Sequence, residues 1–170
     1  MGMKCKIDND FMEDLNWFNL FVDSFNRKMS FANWQGPSDG TVFVDASLMG
    51  LGAVCENKFY TVSLPPYIRR PNRIVFYVML NVLIALRVWG NLWCNQKVTI
   101  FCDNTAVVDV IEGNKTRDSE LGLVLGEMLM LHPKMNAQLK VLHVMGSVIP
   151  PQMLCRESTW RSVGHVSLSC

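Results

Sequence analysis

Two aspartates are the residues best placed to do chemistry. Asp45 interrupts the β-branched and aromatic stretch Thr41–Ala46 (TVFVDA), and Asp103 directly follows the apolar stretch Val98–Cys102 (VTIFC). A carboxylate in such a setting is costly to bury unless a cation or a donor pairs with it. Ligand sites in α/β sheets gather at the carboxyl ends of strands. Two aspartates on neighbouring central strands could together hold a hard divalent cation such as Mg²⁺. The competing reading is that each caps a turn, Asp45 before Ser47 and Asp103 before the following helix.

Other candidates carry less. His132, His143 and His165 have no Ser or Cys partner in a triad motif. Trp89 and Trp93 lie four apart, a spacing that suits base stacking or core packing. Arg69, Arg70 and Arg73, with Lys115 and Arg117, could touch phosphates or form solvated surface. No Gly-rich phosphate loop appears. The six cysteines show neither a C-x-x-C pair nor a His partner at zinc spacing, and Met1–Asp10 is polar rather than signal-like. Reduced thiols in a cytoplasmic or nuclear setting are expected.

The elements that position the aspartates follow from pattern. Apolar residues at Phe11, Leu15, Phe18, Val22 and Phe25 predict an amphipathic helix over 10–28. Turn chemistry at Asn33–Gly40 closes it. Thr41–Ala46, Ala53–Glu56 and Lys58–Leu64 read as an antiparallel meander, ended by Pro65, Pro66 and Pro71. A helix over 76–93 leads to the strand Val98–Cys102. Next come a helix over 105–112, capped by Asn104 or Thr105 and stopped by Gly113, and a helix over 118–131 stopped by Pro133. A last strand, Leu139–Val144, precedes a weakly patterned tail. Meander strands followed by crossovers imply an α/β fold, a mixed five-stranded sheet with helices on both faces.

Composition agrees with a globular domain. The chain has 170 residues, 49% hydrophobic and 18% charged, with a net charge of +1. A sizeable core is possible, and a strongly basic nucleic-acid-coating protein is excluded. One stretch looks membrane-like: Ile74–Leu86 (IVFYVMLNVLIAL) is apolar except for Asn81 and the Tyr77 hydroxyl. A membrane span needs roughly 20 apolar residues, and Arg87 interrupts the run. A helix buried on most of its circumference explains it with fewer assumptions, so no membrane partner is expected.

The segments, taken in order, resemble a known family. Val44-Asp45-Ala46-Ser47 with Gly50, Gly52, Ala53 and Val54 resembles the opening hairpin of ribonuclease H domains. Asn81–Trp93 followed by Val98–Val108 resembles the next helix and strand, and Gly113–Leu121 with Val141–Gly146 completes the series. The likeness is greatest to the ribonuclease H domain of reverse transcriptases from tyrosine-recombinase retrotransposons of the DIRS and Ngaro class. Asp14–Asn26 is similar to the segment joining the polymerase to that domain.

The resemblance implies cleavage of RNA in RNA–DNA hybrids by two Mg²⁺ ions held on four carboxylates. Two of those carboxylates fall on Asp45 and Asp103; the other two positions hold Val78 and Gln152. Two carboxylates cannot balance two divalent ions, so Mg²⁺ is expected to be held weakly or as a single ion. Val78 can coordinate nothing, and losing one preorganised electrostatic group commonly costs roughly 10²–10³ in rate. Nucleic-acid contacts are expected at Ser47, Asn104, Lys115 and Arg117. An active nuclease would need substitute ligands, for which Glu56, Asp109 and Glu112 are nearby in sequence.

The expectation is therefore an inactive or weakened, retroelement-derived pseudoenzyme; the alternative is a non-catalytic nucleic-acid-binding domain. Residues 1–35 would be the connection helix, 36–160 the ribonuclease H-like domain and 161–170 a tail. The end at Cys170 lacks a closing helix pattern, from which truncation or a drifted reading frame is expected.

Overall fold

The computed structural model describes residues 9–24, 34 and 36–146. Five strands form one mixed sheet in the order β3-β2-β1-β4-β5. The strands are β1 (Gly40–Ala46), β2 (Gly50–Cys55), β3 (Lys58–Ser63), β4 (Lys97–Cys102) and β5 (Gln138–His143). The first three make the antiparallel meander, and β4 and β5 run parallel to β1. The helices are α1 (Asn9–Ser24), α2 (Ile74–Trp89), α3 (Thr105–Gly113) and α4 (Ser119–Met135). Short 3₁₀ turns occupy Pro66–Ile68, Pro71–Arg73 and Gly90–Trp93.

Strand alternation divides the sheet into two faces. Val42 and Val44 of β1, Ile100 and Cys102 of β4, and Leu139 and Val141 of β5 share one core with α2, α3 and α4. The register sets Phe59, Val54, Phe43, Phe101 and Leu142 in a row on the opposite face. Phe43 and Phe101 stack there with ring centroids 5.2 Å apart.

The membrane-like run is α2. By length and composition Pro71–Trp93 could cross a membrane, but 56% of its most apolar window is buried in the protein. Trp89 and Trp93 are 4% and 3% exposed within that core, so these two rings pack rather than stack bases. Gly90 at the end of α2 leaves room for the Met135 side chain of α4, which would have to move for any larger residue there.

Of the boundaries that differ from the sequence expectation, which include α2 starting at Ile74 and ending at Trp89, three have a local cause. β2 starts at Gly50, not Ala53, because only Ser47–Met49 is needed for the turn. α3 is stopped not by Gly113 but by Asn114, left-handed at φ 48°; asparagine tolerates that conformation better than most residues. α4 runs through Pro133 to Met135. A proline in the last turn forgoes a single backbone hydrogen bond, and burial of Met135 against Gly90 holds the turn in place.

Candidate functional site

The parallel register fixes where the two aspartates stand. Val44 pairs with Cys102, so one step further along each chain brings Asp45 and Asp103 side by side at the carboxyl ends of β1 and β4. Neighbouring strands lie about 4.8 Å apart. Asp45 is 9% exposed and Asp103 is exposed. The chain leaving β5 returns to the same place: Val144 N donates to Cys102 O at 2.9 Å. Gly146 then approaches so closely that a Cβ there would lie 3.5 Å from Asp103 Oδ2.

The neighbouring polar residues build this end of the sheet. Ser47 closes the β1–β2 turn, its Oγ accepting from Met49 N at 3.1 Å and Gly50 N at 3.2 Å. Asn104 caps α3, its Oδ1 accepting from Val107 N at 3.2 Å. Both side chains flank the aspartates, and both are engaged in fixing the local backbone. Lys115 and Arg117 are exposed but lie beyond the far end of α3. Nine helical residues put that end about 13 Å from Asp103, so the fold does not bring these two cations to the acidic pair.

The residue that ties this end together is Asn81. It is fully buried, and its Nδ2 donates to Asp45 O and to Gly52 O, each at 2.7 Å. Its Oδ1 lies 2.7 Å from the Tyr60 hydroxyl, which donates to it or to the Asn81 carbonyl. This amide clamps α2 onto β1, β2 and β3. Its sequence signal was the single polar residue inside the apolar run, but nothing local named its partners. Val78 lies one turn earlier, on the same side of α2. It is 1% exposed and belongs to the hydrocarbon core.

A two-ion Mg²⁺ site does not fit these residues. Val78 offers only hydrocarbon, and among the described residues no three His, Cys, Asp or Glu side chains gather as metal ligands. Glu56 is no substitute: it sits at the β2–β3 turn, near Thr41, at the opposite end of β1 from Asp45. Asp109 and Glu112 are exposed on α3. Gln152 lies outside the described residues, as do His165, Cys5, Cys155, Cys170 and the proposed tail.

Two other groups of side chains are engaged elsewhere in the fold. Arg73 forms a salt bridge to Asp118 at 2.6 Å and another to Glu120, while its Nε is buried without a partner. The Arg73 guanidinium holds the Asp118 carboxyl below its usual range, helped by the Leu121 amide. Burial pushes the Cys102 thiol up to about 11 and raises Cys55 too. Neither is poised as a nucleophile.

A three-stranded meander with two further strands parallel to β1 is the sheet order of the ribonuclease H-like fold. Solved structures similar to this chain include RNase H1 from the halophilic archaeon Halobacterium salinarum NRC-1, at 13% identity and a TM-score of 0.50, covering 64% of this chain and 86% of that one. LC11-RNase H1 in complex with an RNA/DNA hybrid is similar at 13% identity and a TM-score of 0.52, covering 64% of this chain and 87% of that one. At such identity the likeness carries the fold alone. No family model matches the chain, and no curated protein matches it.

Proposed function

We propose that this chain is a retroelement-derived ribonuclease H-like domain that engages RNA–DNA hybrids but cleaves them weakly or not at all. Descent from the reverse transcriptase of a tyrosine-recombinase retrotransposon is supported by the ordered motif series from Val44 to Gly146. Engagement of hybrid is supported by the fold and by a structural neighbour solved with an RNA/DNA hybrid. The observation that carries the loss of activity is Val78, which fills with hydrocarbon a place in α2 where the resemblance wants a carboxylate.

Asp45 and Asp103 are left as an acidic pair able to attract one divalent cation. Ser47 and Asn104 shape the backbone beside that pair, where a nucleic-acid strand would pass. Lys115 and Arg117, on the distant α3–α4 loop, are available only to a ligand long enough to span both places. Binding would then rest on duplex shape and phosphate contacts.

The test is incubation of the full chain with end-labelled RNA–DNA hybrid in Mg²⁺ and in Mn²⁺, beside Asp103→Asn, with anisotropy titrations at several salt concentrations. Salt-dependent binding without cleavage is expected. Cleavage that Asp103→Asn lacks would overturn the inactive reading, and salt-independent or absent binding would overturn the hybrid reading.

A further inference from the structure

The connector from β3 to α2, Leu64–Arg73 (LPPYIRRPNR), carries three arginines and no acid. At its centre Tyr67 is 85% exposed, the most exposed of the large apolar and aromatic side chains among the described residues. An exposed aromatic on a slack loop would mean little, but this loop is held from every side. Pro65 and Pro66 restrict the backbone. Ile68 N donates to Pro65 O at 3.1 Å and Arg69 N to Pro66 O at 3.2 Å. Arg69 Nε donates to Leu64 O at 2.9 Å. The Tyr77 hydroxyl donates to Ile68 O and accepts from Arg70 N at 2.7 Å. The Tyr67 ring is thus kept in water by a rigid support.

A cation follows it three residues later on the same connector. Arg70 is 67% exposed, and its contact with Glu120 is 3.5 Å long across solvent, a pairing worth little. Arg73, by contrast, is committed to Asp118 and Glu120. The loop also borders the aspartate end of the sheet, since Ile68 packs in the small cluster of Leu51, Leu64 and Tyr77 together with Ala46 and Leu48. An exposed aromatic ring and an exposed guanidinium on one short, braced connector suit an unpaired base and a phosphate of the same strand. Bases inside a duplex offer no free face, which points to a single strand.

We propose that Tyr67 and Arg70 form a stacking site for an unpaired nucleotide of a strand continuing from the duplex, an assignment that rests on the hybrid-binding reading above. The site prefers a base face to bare charge, so it distinguishes a normal overhang from an abasic one.

The experiment compares a blunt hybrid, the same hybrid with a short dT overhang, the same overhang made abasic, and free dT strand, each titrated by fluorescence anisotropy into the full chain. The dT overhang should tighten binding over the blunt hybrid, and Tyr67→Ala should remove a roughly tenfold advantage. Tyr67→Trp should keep it, with indole emission quenched by the dT strand. Arg70→Gln should lower the salt slope by about one. Because the Tyr67 ring is in solvent, its variants fold, and thermal melts verify this. Equal binding of the dT overhang by wild type and Tyr67→Ala, or equal binding of the abasic overhang, would overturn the stacking site while leaving blunt-hybrid binding, and the hybrid reading, intact. Tyr67-dependent binding of dT without binding of blunt hybrid would overturn the hybrid reading and keep the site. No binding to any strand would overturn both.

Discussion

Helices α1 and α2 have 16 residues each, one legible from an apolar stripe and the other from an apolar run, and the fold treats them in opposite ways. More than half of α2 is buried, from Tyr77 to Trp89, with Asn81 clamped to Asp45 and Gly52. In α1 no side chain with a described burial is buried: Phe18 is 56% exposed and Leu20 is 61% exposed. α1 leans on α4 through Trp17, whose indole lies against Gly126 and stacks on Phe21. Spacing tells that a stripe of side chains shares one side of a helix. How much of the stripe is covered depends on partners remote in sequence.

Substitutions can break or sharpen that contrast. The largest effect is expected from Asn81→Leu, which removes two buried donors from the strand carbonyls and should cost about 3 kcal/mol in denaturant unfolding. Val78→Glu comes next, because it buries a carboxylate in the core and should cost about 2 kcal/mol without metal. Added Mg²⁺ should raise the melting temperature of that variant more than that of wild type, by binding only the folded state. An identical response in both proteins would remove Val78 from the candidate site. The matched change on α1, Phe18→Glu, should shift stability by less than about 0.5 kcal/mol. A cost as large as that of Val78→Glu would show α1 to be covered in solution and erase the contrast.

The smallest effect concerns Arg73, at the start of α2. Asp118 has a folded pKa below its unfolded value. Its contribution is therefore present above about pH 4 and fades as the pH falls below that range. The gap in melting temperature between wild type and Arg73→Gln should narrow between about pH 6 and about pH 3. A gap that widens on acidification would contradict the pairing.

The sheet was legible in the sequence because its strands announce themselves through β-branched runs cut by turn residues. Asp45 and Asp103 were legible because carboxylates are out of place at the ends of such runs. Gly50 and Gly52 hid the start of β2, since glycine reads as turn chemistry even when the ladder includes it. Pro133 looks like a stop in the sequence because the contact of Met135 with Gly90 lies across the fold. Arg73 and Lys115 looked alike in sequence. Only tertiary structure shows that one is spent on Asp118 while the other stands beyond the far end of α3.

The Asn81 amide also bears on how the molecule folds. It joins positions 36, 29 and 21 residues away in the chain. The clamp is complete only when all three meander strands stand in place, and closing such non-local contacts carries a large entropic cost. Asn81→Ala is then a late-step change: the unfolding arm of its chevron should accelerate while the refolding arm stays near that of wild type.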